Sequence, residues 1–182
     1  YVVGRTWDEA FQHLMGTYSI PVSQDEAAHL IKSQYRQLIE QELLTVPGVV
    51  EAIRQLRDHF TLALVSGSVR SDIEYALKKL GVYELFQVVL GAEDYPKSKP
   101  APDGYLKAMK QLKASPHEVL IFEDSTPGIR SARQAGAWVV AIRATNYFSQ
   151  DQSEAHDSIE DFRHITHEWV KKWIEKAAST SY

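Results

Sequence analysis

The chain has 182 residues, 44% of them apolar, with a formal net charge of −4 and a pI near 6.0. That is enough apolar material for a core, it excludes a disordered composition, and it suits one main domain with a small appendage. The mild acidity argues against a nucleic-acid or membrane-surface binder, whose footprint is a basic face. There are no cysteines, which excludes disulfides, thiolate chemistry and cysteine-based zinc sites and fits a cytoplasmic location. No apolar run approaches the roughly 18–20 residues of a spanning helix, and no signal peptide is visible at the start.

Residues 1–45 read as helices only, a unit distinct from residues 46–182. Trp7, Ala10, Phe11, Leu14 and Met15 fall at helical spacing. A second helix starts at Ser23, with Glu26 three residues on in a capping-box pattern. Its apolar stripe runs Ala27, Leu30, Ile31, Leu38, Ile39, and Pro47-Gly48 then punctuates the chain. From residue 48 the pattern alternates. Val49, Ile53 and Leu56 mark a helix, and Thr61–Val65 a buried strand. Ser71 is expected to cap a helix through Leu80, closed by Gly81. A strand at Gln87–Leu90 is followed by a helix at Pro102–Leu112 with proline in its first turn. A third strand, Val119–Phe122, leads to a helix at Pro127–Ala135 closed by Gly136. Ala137–Ile142 is a fourth strand, and a helix near His167–Lys176 carries Trp169, Val170, Trp173 and Ile174, the two tryptophans as core packing. Strands alternating with helices imply an α/β fold: right-handed crossovers and a parallel sheet covered on both faces.

In such sheets ligands bind beyond the carboxyl ends of the strands. After the first strand comes Ser66-Gly67-Ser68, a hydroxyl beside a glycine that lets backbone approach a phosphate oxygen; an ordinary turn with serine as helix cap is the plainer alternative. After the second strand, Lys99 stands directly before Pro100 in a proline-rich loop, where a rigidly placed cation can offset phosphoryl charge; Lys97 competes for that role, and a solvated loop lysine is the plain reading of either. After the third strand come Glu123 and Asp124, two like charges that are costly side by side unless a cation joins them. Such oxygen ligands suit Mg²⁺, although Asp124 or Ser125 can equally cap the next helix. A hydroxyl, a lysine and an acidic pair on three successive strand ends make a phosphoryl-transfer constellation, in which positioning and charge neutralisation do most of the work.

With these residues in view the chain resembles the haloacid dehalogenase-type phosphohydrolase superfamily. Leu64-Val65-Ser66-Gly67-Ser68 looks like its second motif, Lys99-Pro100-Ala101-Pro102-Asp103 its third, and Ile121-Phe122-Glu123-Asp124-Ser125, followed by Gly128 and Ala132 to Gly136, its fourth. Pro47-Gly48-Val49 resembles the return from a helical cap to the core. The resemblance implies a Rossmann-like core with helices on both faces (46–182) and a small, partial helical cap (1–45), in the branch of phosphoglycolate phosphatase and β-phosphoglucomutase. It implies that Ser66 and Gly67 bind the transferring phosphoryl group and that Lys99 stabilises its charge and orients the nucleophile. Glu123 and Asp124 would hold Mg²⁺, with Asp124 the surer ligand, while the cap closes over the substrate. The expected activity is hydrolysis of a small phosphorylated metabolite, such as a sugar phosphate or phosphoglycolate, through an aspartyl-phosphate. The expected state is a monomer or weak dimer.

One departure is plain. The superfamily's first motif, Asp-x-Asp-Gly, supplies the nucleophile and the general acid/base, and no Asp-x-Asp occurs in this sequence. The acidic stretch Asp151 to Asp161 does not restore it, so a circular permutation is not supported. Together with Tyr1 in place of Met and a short cap, this points to about 40 to 60 further N-terminal residues in the parent protein, bearing a strand that belongs in the middle of the sheet; the chain alone is then expected to be inactive. A degenerate, non-enzymatic relative that binds a phosphorylated ligand or a partner is the main alternative. A phosphorelay receiver would need the acidic pair first and the hydroxyl and lysine after it, the reverse of the order here. A dehalogenase has no need of magnesium. In β-phosphoglucomutase relatives an arginine follows the cap glycine by three residues; counted from Gly4 that position is Trp7, with Arg5 nearby, which weakens the mutase reading. His13 is open to a place at the site or in solvent.

Overall fold

The computed structural model describes residues 12–13, 16–18 and 22–179. Trp7, Ala10, Phe11, Leu14 and Met15 of the first expected helix lie outside the described residues, as do Gly4 and Arg5, while His13 is exposed. Helix α1 (Gln24–Gln41) opens on the expected capping box: the Ser23 N–H donates to Glu26 Oε2 at 2.9 Å, and the Glu26 N–H donates to Ser23 Oγ at 3.2 Å. Ala27 is buried, but Leu30 is 54% exposed, so the apolar stripe is not wholly covered. The chain then turns at Pro47-Gly48 into helix α2 (Val49–Arg57).

Five short strands follow: β1 (Leu62–Val65), β2 (Phe86–Leu90), β3 (Leu120–Glu123), β4 (Trp138–Ile142) and β5 (Asp157–Ile159). Between them run α3 (Arg70–Lys79), α4 (Asp103–Leu112) and α5 (Thr126–Gln134), and the chain ends in α6 (His167–Ser179). Every strand pair is parallel. β1 pairs with β2, Val65 opposite Leu90, and β3, β4 and β5 form a second sheet, with Glu123 opposite Ala141 and Ile142 opposite Ile159. Among the described residues β1 and β3 each have a strand partner on one side only.

Strand alternation distributes the apolar side chains to two faces. Ile121, Val139 and Ala141 point to one face and pack with Tyr105 and Met109 of α4 and Ile129 and Ala132 of α5. Leu62, Leu120, Phe122 and Ile142 point to the other, against Ala52 and Leu56 of α2 and Val170 of α6. Leu62 and Phe122 thus share one cluster although their strands do not pair. Trp169 packs against Phe122, while Trp173 sits edge-on to Trp138 and donates its indole N–H to Asp157 at 2.9 Å.

Three local expectations change. Ser71 does not cap α3: the helix begins at Arg70 behind Val69, and the free Arg70 N–H is taken by both oxygens of Glu93, at 2.9 and 3.2 Å. Glu123 is the last residue of β3 and not the first of a loop, so its side chain follows the pleat inward and is buried. β5 was not expected, because Asp157-Ser158-Ile159 carries almost no apolar signal; as an edge strand exposed at two of three positions it needs none.

Candidate active site

All three expected functional segments lie at the carboxyl ends of β1, β2 and β3. The link between them is Lys99. Its Nζ donates to the Val65 carbonyl oxygen at 3.3 Å, at the end of β1, and forms an ion pair with Glu123 Oε1 at the end of β3. Lys99 and Glu123 are 11% and 8% exposed, whereas Lys97 is exposed, so of the two lysines only Lys99 enters the site. A face of Tyr105 also lies 4.9 Å from Lys99 Nζ.

Ser66, next to Val65, is half-buried. Its backbone is held at both ends, its N–H donating to the Leu90 carbonyl at 3.0 Å and its own carbonyl accepting from the Tyr95 hydroxyl at 2.9 Å. The Ser68 N–H donates to Ser66 Oγ at 3.1 Å. The serine hydroxyl is therefore oriented, with its hydrogen still available to a ligand oxygen. Gly67 stands between the two serines.

Glu123 is saturated. Oε1 accepts from Lys99 and, at 3.0 Å, from the Tyr105 hydroxyl. Oε2 accepts from the N–H groups of Asp124 and Ser125 at 2.9 and 3.1 Å and from Ser125 Oγ at 3.1 Å. Burial pushes its carboxyl up most strongly, but the Lys99 charge and these hydrogen bonds outweigh it and hold the group below its ordinary value. Tyr105 is pushed well above the phenol range by burial and by the Glu123 charge, which keeps its proton on and its hydroxyl donating. Gly128 packs against the same carboxylate: a Cβ there would overlap the Glu123 carboxyl carbon and both of its oxygens. Ser125 is the N-cap of α5, accepting from the Gly128 N–H at 3.1 Å, which settles the capping role left open between it and Asp124.

Asp124 differs from its neighbour. It is half-buried, and burial, then the adjacent Glu123 charge, raise its carboxyl above the ordinary value, with hydrogen bonding from the Thr145 side chain opposing. A carboxylate whose charge is under-compensated favours a cation. Among the described residues no group of three or more His, Asp or Glu side chains gathers at one point. That still suits Mg²⁺, which takes one or two protein carboxylates and completes its shell with water and substrate phosphate. With Glu123 saturated, Asp124 is the carboxylate with free capacity here.

Tyr105 and Ser125, which donate to the Glu123 carboxylate, and Gln152, which donates to the Asp124 carbonyl, were not among the expected site residues: Tyr105 and Gln152 come from distant segments with no local signal, and Ser125 looks like a cap.

The family description haloacid dehalogenase-like hydrolase matches residues 2–142. The chain is 34% identical over 146 residues to the bifunctional riboflavin kinase/FMN phosphatase of Arabidopsis thaliana, covering 78% of this chain and 38% of that protein. It is 35% identical over 104 residues to validoxylamine A 7′-phosphate phosphatase of Streptomyces hygroscopicus subsp. limoneus, covering 57% of this chain and 49% of that one. In each case the match spans half the relative or less. Among solved structures, β-phosphoglucomutase from Clostridium difficile superposes with a TM-score of 0.78 at 18% identity, covering 98% of this chain and 81% of that one, which speaks to the fold. A HAD hydrolase, family IA, variant 3 from Entamoeba histolytica superposes with a TM-score of 0.72 at 25% identity, covering 96% and 81%. The parallel sheet flanked by helices is therefore the Rossmann-like architecture of these proteins, and the chain belongs to the haloacid dehalogenase-like hydrolase family.

Proposed function

We propose that this chain carries most of the active site of a magnesium-dependent phosphomonoesterase acting on a small phosphorylated metabolite. The observation that supports it best is the double engagement of Lys99, which joins the strand end before Ser66 to the strand end before Asp124. In this reading Ser66 Oγ and the Gly67 backbone bind the phosphoryl oxygens. Lys99, its own charge balanced by Glu123, offsets the charge that spreads over those oxygens during transfer. Glu123 serves as the buried anchor of Lys99, and Asp124 is the metal ligand. Mg²⁺, when bound, would neutralise phosphoryl charge and help align the leaving and attacking groups. Residues 1–45 form part of a cap over the site and 46–182 its core. The attacking aspartate is not among these residues, since the sequence contains no Asp-x-Asp. The FMN, validoxylamine 7′-phosphate and fructose-1-phosphate phosphatases among the relatives fit a small phosphomonoester as substrate.

The test is phosphate release from a panel of sugar phosphates, phosphoglycolate and FMN by the full-length protein that contains this sequence, with and without Mg²⁺. Release that requires Mg²⁺ and is lost in Asp124→Ala is the expected result. The missing Asp-x-Asp favours one second reading, a phosphate-binding relative without catalysis. Magnesium-dependent binding of inorganic phosphate with no turnover of any ester would establish that reading instead.

A further inference from the structure

The polar segment after β4, residues 143–152, is fastened to the candidate metal ligand. The Gln152 amide Nε2 donates to two backbone carbonyls, Asp124 at 2.7 Å and Ile142 at 2.9 Å. The last paired residues of β3 and β4 are Glu123 and Ala141, so Asp124 and Ile142 are the next positions beyond the ladder. Two carbonyls just past the β3–β4 ladder are thus tied by one side chain, which uses both of its amide hydrogens to do so. Asp124 is held at its N–H by Glu123 and at its carbonyl by Gln152.

The segment is itself braced. Asn146 clasps Gln150 twice, accepting from its N–H at 2.7 Å and donating to its carbonyl at 2.9 Å. Gln150 Oε1 accepts from the Thr126 N–H at 3.2 Å, and Thr126 Oγ1 donates to the Asp151 carbonyl at 2.7 Å, which anchors the segment to the first turn of α5. Tyr147 and Phe148 stand 80% and 72% exposed, so the conformation is set by hydrogen bonds and not by burial of its aromatic residues.

We infer that Gln152 is a positioning residue for Asp124, fixing the splay of the β3 and β4 ends from which its carboxylate projects. The inference rests on the proposed role of Asp124 as a magnesium ligand. Groups that orient a metal ligand commonly change metal affinity by about 10- to 100-fold when removed.

The test is a calorimetric Mg²⁺ titration of the full-length protein in the presence of inorganic phosphate, with thermal unfolding run alongside. Gln152→Leu and Gln152→Met each remove both amide donors at similar side-chain volume. The expected result is a Mg²⁺ Kd weakened about 10- to 100-fold in either variant. Unchanged Mg²⁺ affinity in both, whatever happens to their Tm, overturns the inference while leaving the metal role of Asp124 intact. A wild-type protein that binds no Mg²⁺ overturns the proposed metal role itself, and the inference with it.

Discussion

Replacing Lys99 with methionine keeps most of the side-chain volume and removes the charge that faces Glu123. Breaking a buried ion pair from one side costs about 3–5 kcal/mol, because the remaining charge is left uncompensated in a desolvated site. Glu123 would still accept from Tyr105, the Asp124 and Ser125 N–H groups and the Ser125 hydroxyl, so the lower end applies, about 3 kcal/mol near neutral pH. Adding Glu123→Gln should recover most of that loss. The amide oxygen can take the place of Oε2, and the amide NH₂ can donate to a Tyr105 hydroxyl that turns to accept. The pH dependence has a definite sign. In the wild type the Glu123 carboxyl lies below its ordinary 4.5, so the stability it contributes is present above that value and is lost as pH falls through the lower folded value. Without Lys99 the carboxyl takes up its proton at higher pH. The gap between wild type and Lys99→Met is therefore full near neutrality and closes below about pH 4.5. Urea unfolding of wild type, single and double variants, near neutrality and near pH 4, measures both effects. A single variant within about 1 kcal/mol of wild type, or a gap that ignores pH, would refute the buried-pair argument.

Gly128→Ala should destabilise by at least about 1–3 kcal/mol, since the new methyl overlaps a Glu123 carboxylate that five hydrogen bonds prevent from yielding; chemical denaturation reads the loss. His156 accepts from the Val139 N–H at 3.0 Å and faces Arg133; partial burial, then the Arg133 charge, lower its pKa from 6.5. Its unfolded form therefore binds protons more readily, so stability is full above 6.5 and falls as pH drops toward the lower folded value. Tm between about pH 7.5 and 5.5 should fall more in wild type than in His156→Asn, and parallel profiles would count against this. Tyr147→Ala with Phe148→Ala should leave stability within about 0.5 kcal/mol of wild type, because both rings are exposed and the segment is held by Asn146, Thr126 and Gln152; a larger loss in thermal unfolding would show that the rings carry it.

The order of elements was legible along the chain. Short β-branched runs alternating with capped amphipathic segments dictate a parallel α/β sheet, and the strand ends then nominate Ser66, Lys99, Glu123 and Asp124 for one edge of it. These signals are local, because period, caps and turns act over a few residues. What tertiary structure decided is how those side chains engage one another. Ending β3 one residue later turns Glu123 into the core, where Lys99, Tyr105 and the first turn of α5 engage its two oxygens, while Asp124 stays half-buried beside it. The edge strand β5 and the tie from Gln152 were equally out of reach. Each depends on hydrogen bonds closed between segments apart in sequence, and polar residues in a loop carry no period that announces such a partner.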